Sequence, residues 1–465
     1  MPKDVADRPI PVAMDLHSTP MGFFESLRAA RRNLLEIIPA LAVKQPIISG
    51  KTGVRWHMVM DPGALRRILT ERLDDYPKSD VTKRILRPAI GDSLFVAEGA
   101  HWRWQRRAAS PVFAVRNIDN LAPIMSAVAK ACADRLASKD GQVVDVYEET
   151  VRMTMEVIAE VTFSSGDSLD TEMVGEAVSQ YIDRIAKISM LDMMGAPDWI
   201  PRPGRVFGPG SLKRVQNVAS TAIAHRINHG AKETPDLLDL LMAAEDSETA
   251  RSMTPMEVRD NLLAFITAGH ETTALALAWA LYLLAFDQDV QDRARAEAQS
   301  ALDGAVAGAE HIPSLGYIRQ IIHETMRLYP PAAFLSRTAM ADDTLCDRHI
   351  RKGDTVMLPI YALHRHELLW DAPNAFDPDR FAEGTKIDRY AYLPFGNGPR
   401  ICIGAEFALR ESQIILATLL TRFRFTLSDR PPPQPHLLMT LRPKGGVHLN
   451  IEALSSTREK GLNTL

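Results

Sequence analysis

Hydrophobic residues recur along most of this chain at the three- and four-residue spacing that lays one apolar stripe along a helix. The clearest start is Thr254-Pro255-Met256-Glu257, with a capping threonine, a proline at the first helical position and a glutamate three residues on. From there Leu262, Leu263, Phe265 and Ile266 lead into a stretch that is apolar on every side and ends near Phe286. Ala274 to Phe286 is 13 residues, too short to span a bilayer, so it predicts a buried core helix. A second helix is predicted through Ile321–Leu328, stopping at Pro330-Pro331, and a third over Ala405 to Leu420. Strand-like runs are few and short: Val54–Met60, Thr355–Leu358 and Val447–Ile451. The pattern predicts a mainly α fold with a small β subdomain.

Length alone, 465 residues, would suggest about three ordinary domains. No Gly/Ser linker, repeat or charge block divides the chain, however, and the one proline cluster, Pro431 to Pro435, lies too near the end to do so. A single unit over residues 1–465 is expected, with 1–20 as a peripheral N-terminal extension and 453–465 as a polar tail. The net charge of −4 argues against a nucleic-acid partner. Cys132, Cys346 and Cys402 are odd in number and far apart, which fits a reducing compartment without a disulfide framework. The opening residues, Met1-Pro2-Lys3-Asp4-Val5-Ala6-Asp7, hold no signal-peptide pattern and no apolar segment. No membrane anchor and a cytoplasmic location are therefore expected.

Candidate chemistry is concentrated in four places. Phe395-Gly396-Asn397-Gly398-Pro399-Arg400-Ile401-Cys402-Ile403-Gly404 sets one cysteine in a loop of turn formers just before a helix. The unpaired N–H groups and dipole of that helix start favour a thiolate, a soft anionic ligand of the kind a haem iron takes. In the middle of the apolar helix sit Thr267-Ala268-Gly269-His270-Glu271-Thr272-Thr273, polar groups that are costly to bury without a purpose. Glu324 and Arg327 lie three apart with apolar flanks, so the pair is expected to face inward, fully hydrogen-bonded. Trp102 and Arg106 stand at i and i+4, where an indole N–H and a guanidinium could both donate to one carboxylate.

The ten-residue loop reads F-x-x-G-x-R-x-C-x-G, and the chain resembles the cytochrome P450 family from roughly Asp61 to Ile451, with its motifs in family order. The resemblance implies a P450-like fold enclosing one haem b, with Cys402 as the iron ligand and Phe395 packed beside it. Gly398 and Gly404 would allow close backbone approach. Arg400, Trp102, Arg106 and, with looser spacing, Arg337 would reach the haem propionates. Ala268-Gly269-His270-Glu271-Thr272 matches the family's A-G-x-E-T signature: Ala268 and Gly269 leave room for oxygen, and Glu271 and Thr272 form the acid–alcohol pair that delivers protons. His270 is filler at the variable position. The family's structural triad falls on Glu324, Arg327 and Arg380, the last in Phe376-Asp377-Pro378-Asp379-Arg380-Phe381.

The function implied by this resemblance is that of a monooxygenase, which inserts one atom of O2 into an apolar small molecule by hydroxylation or epoxidation. No appended reductase is expected: Gly208-Pro209-Gly210 starts like a dinucleotide loop, but Lys213 stands where the third glycine should be. Electrons would come from a separate ferredoxin or flavodoxin with its NAD(P)H-dependent reductase. By the family's layout the substrate pocket takes Ile85, Leu86, Met190, Met193, Met194, Trp199, Phe265, Ala268, Ala333, Phe334 and Leu335, nearly all apolar. A peroxide-using member, an isomerase or dehydratase member and a haem sensor remain open alternatives. None of these three needs the Glu271–Thr272 pair.

Overall fold

The computed structural model of the protein describes residues 10–163 and 209–454. The helices that bear on the site are α1 (Asp80–Ile90), α2 (Gly99–Ala109), α3 (Val115–Ala137), α4 (Val146–Phe163), α5 (Pro255–Phe286), α6 (Gln288–Leu302), α7 (Gly316–Leu328) and α8 (Ala405–Arg422). Helix α5 begins where the sequence predicts, and for the predicted reason. Thr254 Oγ1 accepts from the Glu257 N–H at 3.3 Å, while Glu257 Oε2 accepts from the Thr254 N–H at 2.9 Å. This capping box satisfies two of the donors that a helix start leaves without partners. From Ala274 to Ala285 every residue is buried, with α4, α7 and α8 packed around the helix. Trp279, wholly buried, stacks on Tyr329 with ring centroids 3.9 Å apart and donates its indole N–H to the Leu441 carbonyl at 3.1 Å.

The β structure is small, as the sequence predicts, and forms four separate pieces among the described residues. Its strands are β1 (Ile47–Thr52), β2 (Val54–Val59), β3 (Val143–Asp145), β4 (Leu335–Thr338), β5 (Asp343–Leu345), β6 (Arg348–Ile350), β7 (Thr355–Leu358), β8 (Phe423–Leu427), β9 (Gln434–Leu437), β10 (Leu441–Lys444) and β11 (His448–Ala453). The largest sheet has the order β1-β2-β7-β4, with β2 and β7 parallel and the other pairs antiparallel. Its β4 edge carries Arg337, opposite Val356, and meets residue 78 in an isolated bridge. The β9–β10 hairpin brings its turn, with Met439, back over the apolar cluster of α1 and α5.

Residues 12–16 do not form the loose extension expected of 1–20. The Met14 N–H donates to the Tyr361 hydroxyl at 2.9 Å, and the Tyr329 hydroxyl donates to the Val12 carbonyl at 2.6 Å. Val12, Met14 and Leu16 also pack on the main core. A segment without helical or strand periodicity gives no sign of such docking, because its anchors are single tyrosine hydroxyls far along the chain.

Candidate active site

The Cys402 loop is held by its own backbone before anything else touches it. The Cys402 N–H donates to the Phe395 carbonyl at 2.9 Å, the Ile401 N–H to the Gly398 carbonyl at 3.1 Å, and Phe395 packs against the main core. Gly398 adopts φ +71°, and a Cβ there would lie 2.4 Å from the Leu69 carbonyl oxygen. The close approach that this glycine permits is to the 67–71 segment. A Cβ on Gly404 would meet nothing within 4 Å. Helix α8 starts at Ala405 with Gly404 as its cap, so Cys402 sits just ahead of the helix, as read from the sequence.

The Cys402 residue is exposed by surface area, while protein atoms crowd around its thiol. Burial raises its pKa, against the Gly404 N–H and the Arg106 charge, which both act to lower it. The N–H at the helix start thus acts in the expected direction, and desolvation opposes it. A coordinated cation is what would deprotonate this thiol outright.

Helix α5 has an accessible stretch in its central turns. Phe265 and Thr272 are half-buried and Ala268 is exposed, although Leu262 to Ala264 before them and Thr273 to Ala285 after them are buried. These three lie at i, i+3 and i+7, one face of a helix. Phe265 packs on the same two clusters as Ile403, the residue after the cysteine. The Thr272 hydroxyl donates to the Ala268 carbonyl at 2.7 Å. Glu271 is buried, and its Oε1 lies 2.5 Å from Nη2 of Arg442 on β10. A Cβ on Gly269 would sit 3.6 Å from Ile158 of α4, an ordinary van der Waals contact. His270 is fully enclosed, its Nδ1 2.9 Å from the Ile266 carbonyl and its pKa lowered by burial, which suits filler.

Whether the remaining residues suit a haem is decided by what they lack. Trp102 and Arg106 are both on α2, one turn apart, and among the described residues no carboxylate pairs with the Arg106 guanidinium. Burial lowers its pKa, opposed by the charge of Cys402. Arg337 is buried, its pKa lowered to about 10 by desolvation and then by Arg400, and its Nε makes no hydrogen bond. Arg400 lies over the Trp102 ring, 4.6 Å from its centroid, and its Nε is also without an acceptor. Buried donors without acceptors are costly. Guanidiniums with open donors, with Arg106 close enough to Cys402 for their charges to interact, fit a ligand that carries carboxylates and a thiophilic metal. A haem has both.

The Glu324–Arg327 pair is the inward, saturated structure that its apolar flanks predict. Both residues are fully buried, and the guanidinium grips both carboxylate oxygens, at 2.6 and 2.7 Å. Its remaining donors reach the carbonyls of His364, Pro373 and Ala375 at 2.6–2.9 Å. Arg380 is the outer member: its Nε lies 3.5 Å from Glu324 and makes no hydrogen bond, while its Nη2 donates to the Ala372 carbonyl at 2.9 Å.

Of the pocket residues read from the sequence, Ile85, Leu86 and Phe265 share one apolar cluster. Ala333, Phe334 and Leu335 lie instead with the main core, where Phe265 also packs. Met190, Met193, Met194 and Trp199 lie outside the described residues. Sequence reasoning missed Met439, which joins the Ile85–Phe265 cluster from a hairpin turn that no periodicity marks. It also missed Glu411 on α8, a buried acid that accepts a hydrogen bond from Thr273 and whose pKa burial pushes up to about 8.

Comparison with known proteins agrees with this geometry. The sequence model of the family described as Cytochrome P450 matches residues 44–450. Cyclooctat-9-en-7-ol 5-monooxygenase of Streptomyces melanosporofaciens is 32% identical over 410 residues, which is 86% of each chain. Cytokinin hydroxylase of Arabidopsis thaliana is 30% identical over 87% of this chain and 81% of that protein. Among solved structures, the cytochrome P450DA heme domain superposes with a TM-score of 0.83 at 25% identity, covering 95% of this chain and 99% of its own.

Proposed function

The chain belongs to the cytochrome P450 family, and from that premise we propose that it inserts one oxygen atom from O2 into an apolar organic molecule, by hydroxylation or epoxidation. It is a monooxygenase, and its cofactor is haem b. The finer reading rests on one observation: in the central turns of α5, Phe265, Ala268 and Thr272 stay accessible on one face, and Phe265 packs on the same clusters as Ile403 of the cysteine loop.

Haem, when bound, supplies the oxygen chemistry, with Cys402 as its sulfur ligand and Trp102, Arg106, Arg337 and Arg400 on its carboxylates. The protein supplies position, dryness and protons. Thr272 Oγ1 holds a proton that it now gives to the Ala268 carbonyl, and a hydroxyl can turn to donate and accept elsewhere. Glu271 is fixed by Arg442, whose side chain is 22% exposed, so its carboxylate stands between the buried helix and the solvent edge. That is the place for a group that passes protons inward to Thr272. Ile85, Leu86, Phe265 and Met439 offer apolar surface and no charge, which favours an apolar substrate and keeps water out. Electrons arrive from a separate ferredoxin or flavodoxin and its NAD(P)H-dependent reductase, and the enzyme works in the cytoplasm.

The test is turnover under isotopically labelled O2. The purified protein, first shown to give the thiolate-type band when reduced under carbon monoxide, is supplied with NAD(P)H and a surrogate ferredoxin and reductase, or with hydrogen peroxide alone. Incorporation of one labelled atom per product in the first mixture is expected. Product formed only from peroxide, or isomerised without label, would replace this reading by the peroxide-using or isomerase alternative.

A further inference from the structure

The helix Pro209–His229 ends on two histidines that neither the sequence motifs nor the active site uses. His225 and His229 are four residues apart, one above the other on the same helical face, and both are exposed. Their rings stack with centroids 4.1 Å apart and planes 20° from parallel. Two imidazoles are thereby held side by side at the surface.

The contact made by His229 decides which of its nitrogens is left to bind. Its Nδ1 lies 2.9 Å from the His225 carbonyl oxygen. A carbonyl only accepts, so Nδ1 carries the proton, and Nε2 of the neutral ring keeps its lone pair. A backbone carbonyl on one ring nitrogen is the arrangement that orients a histidine for a metal on the other. The 4.1 Å between ring centroids is close to the span of two Zn–N bonds of about 2.0–2.1 Å each, and exposed rings can swing to close it.

The surroundings favour a cation. The helix stops at His229, with Gly230 in the left-handed region at φ +84°, and the last carbonyls of a helix present the negative end of its dipole. Arg226, the arginine of that last turn, is buried and paired with Asp236 at 2.9 Å and with Asp239. Its charge is met by two carboxylates and does not oppose a metal on the outer face. Among the described residues no third histidine, cysteine or carboxylate converges with the pair, so the remaining positions go to water.

We propose that His225 and His229 form a surface site for a divalent transition metal of the imidazole-preferring class, such as Zn2+. The bound ion bridges the last turn of its helix and stabilises that end. The same helix lays Ala219, Ala222 and Ile223 into the apolar cluster of Ile85, Leu86 and Phe265, so the ion braces an element of that cluster. The inference uses no part of the haem site, so it can fail while the monooxygenase reading stands.

The test uses the full-length holoenzyme at neutral pH with Zn2+ alone as the probe. Affinity is read by competition with a chromophoric chelator, and stability by thermal unfolding with and without the ion. Wild type is expected to bind Zn2+ and to gain Tm on binding. His225→Ala and His229→Ala should each weaken binding by about tenfold or more, since losing even an outer-shell partner of a metal site costs about 10–100-fold. Both should also lose the gain in Tm. Both side chains are exposed, so the variants are expected to fold, which the thiolate-type band under carbon monoxide verifies. His229→Ala combined with Ile227→His keeps the number of histidines but moves one to i+2, where it does not face His225. It should not recover binding. Mg2+, which takes oxygen ligands, should leave Tm unchanged. No Zn2+ binding by wild type, affinity unchanged in His229→Ala or recovered in the double variant, or an equal gain in Tm with Mg2+, would overturn the assignment.

Discussion

At the scale of single residues, burial raises the pKa of the Cys402 thiol, while the Gly404 N–H and Arg106 act to lower it. Cys402→Ser substitutes a harder and far more basic oxygen. The variant is expected to lose haem or shift its reduced carbon monoxide band, with monooxygenase turnover gone; the absorbance spectrum of the reduced variant under carbon monoxide checks this. Glu411 gives a second expectation, in pH. Its pKa is raised from 4.5 to about 8, chiefly by burial, with the Thr273 hydrogen bond opposing. A raised folded pKa means that the native state binds more protons than the unfolded chain between those values, so its contribution to stability is full at low pH and is lost as pH rises toward 8. Glu411→Gln should therefore gain thermal stability over wild type as pH goes from 5 to 8, read as the difference in Tm across that range. Cys402 was legible because turn residues and a helix start surround it within ten positions. Glu411 was not, since a carboxylate at one position of an apolar helix looks the same whether it faces solvent or core.

At the scale of elements, the arginines illustrate what a pattern can and cannot say. Arg327 was readable because a proline stop and apolar flanks fix its helix and its inward face. All of its donors are used, by Glu324 and by three backbone carbonyls of the segment that precedes Arg380. Glu324→Ala would strand that guanidinium, and breaking a buried pair costs about 3–5 kcal/mol. Little folded holoprotein is expected, and Arg327→Lys should also fail, because an ammonium cannot span five directed bonds. The yield of haem-loaded protein on expression measures both. By contrast, Arg106→Ala should fold and lose haem faster, its cost being one charge-assisted bond of about 1.5–3 kcal/mol. Transfer of haem to apomyoglobin compares it with wild type. The pairings of Arg337 with Lys78 and of Arg400 with Glu98 escaped the sequence because they are made by a β bridge and an ion pair over some 260 and 300 positions, which leaves no local trace.

At the scale of the whole molecule, the mainly helical architecture was legible because its longest helix carries both a capping box and an unbroken apolar run. The positions of the short strands were also close: Thr355–Leu358 is a strand as read, and Val54–Met60 is one residue longer than β2. The apolar cluster of Ile85, Leu86 and Phe265 was not. It joins residues of α1, α5, the cysteine loop and a hairpin turn distant in sequence, and their convergence is set by packing rather than by any motif. Glu271 shows the same limit: its place in a family signature was evident, but its ion pair with Arg442 across the molecule was not.

The central claim is that Thr272, served by Glu271, delivers the proton that lets oxygen be used productively. The measurement that bears on it most directly is product formed per NAD(P)H oxidised, in wild type and in Thr272→Ala. The hydroxyl is needed for neither substrate binding nor the first electron transfer, so both should be nearly unchanged. Proton assistance by a side chain is worth about 10²–10⁴-fold, and water can replace part of it, so product formation should fall toward the low end of that range or less. Cofactor should still be consumed, with the surplus recovered as hydrogen peroxide. A Thr272→Ala variant that keeps the wild-type ratio of product to NAD(P)H would contradict the proton-delivery role of Thr272.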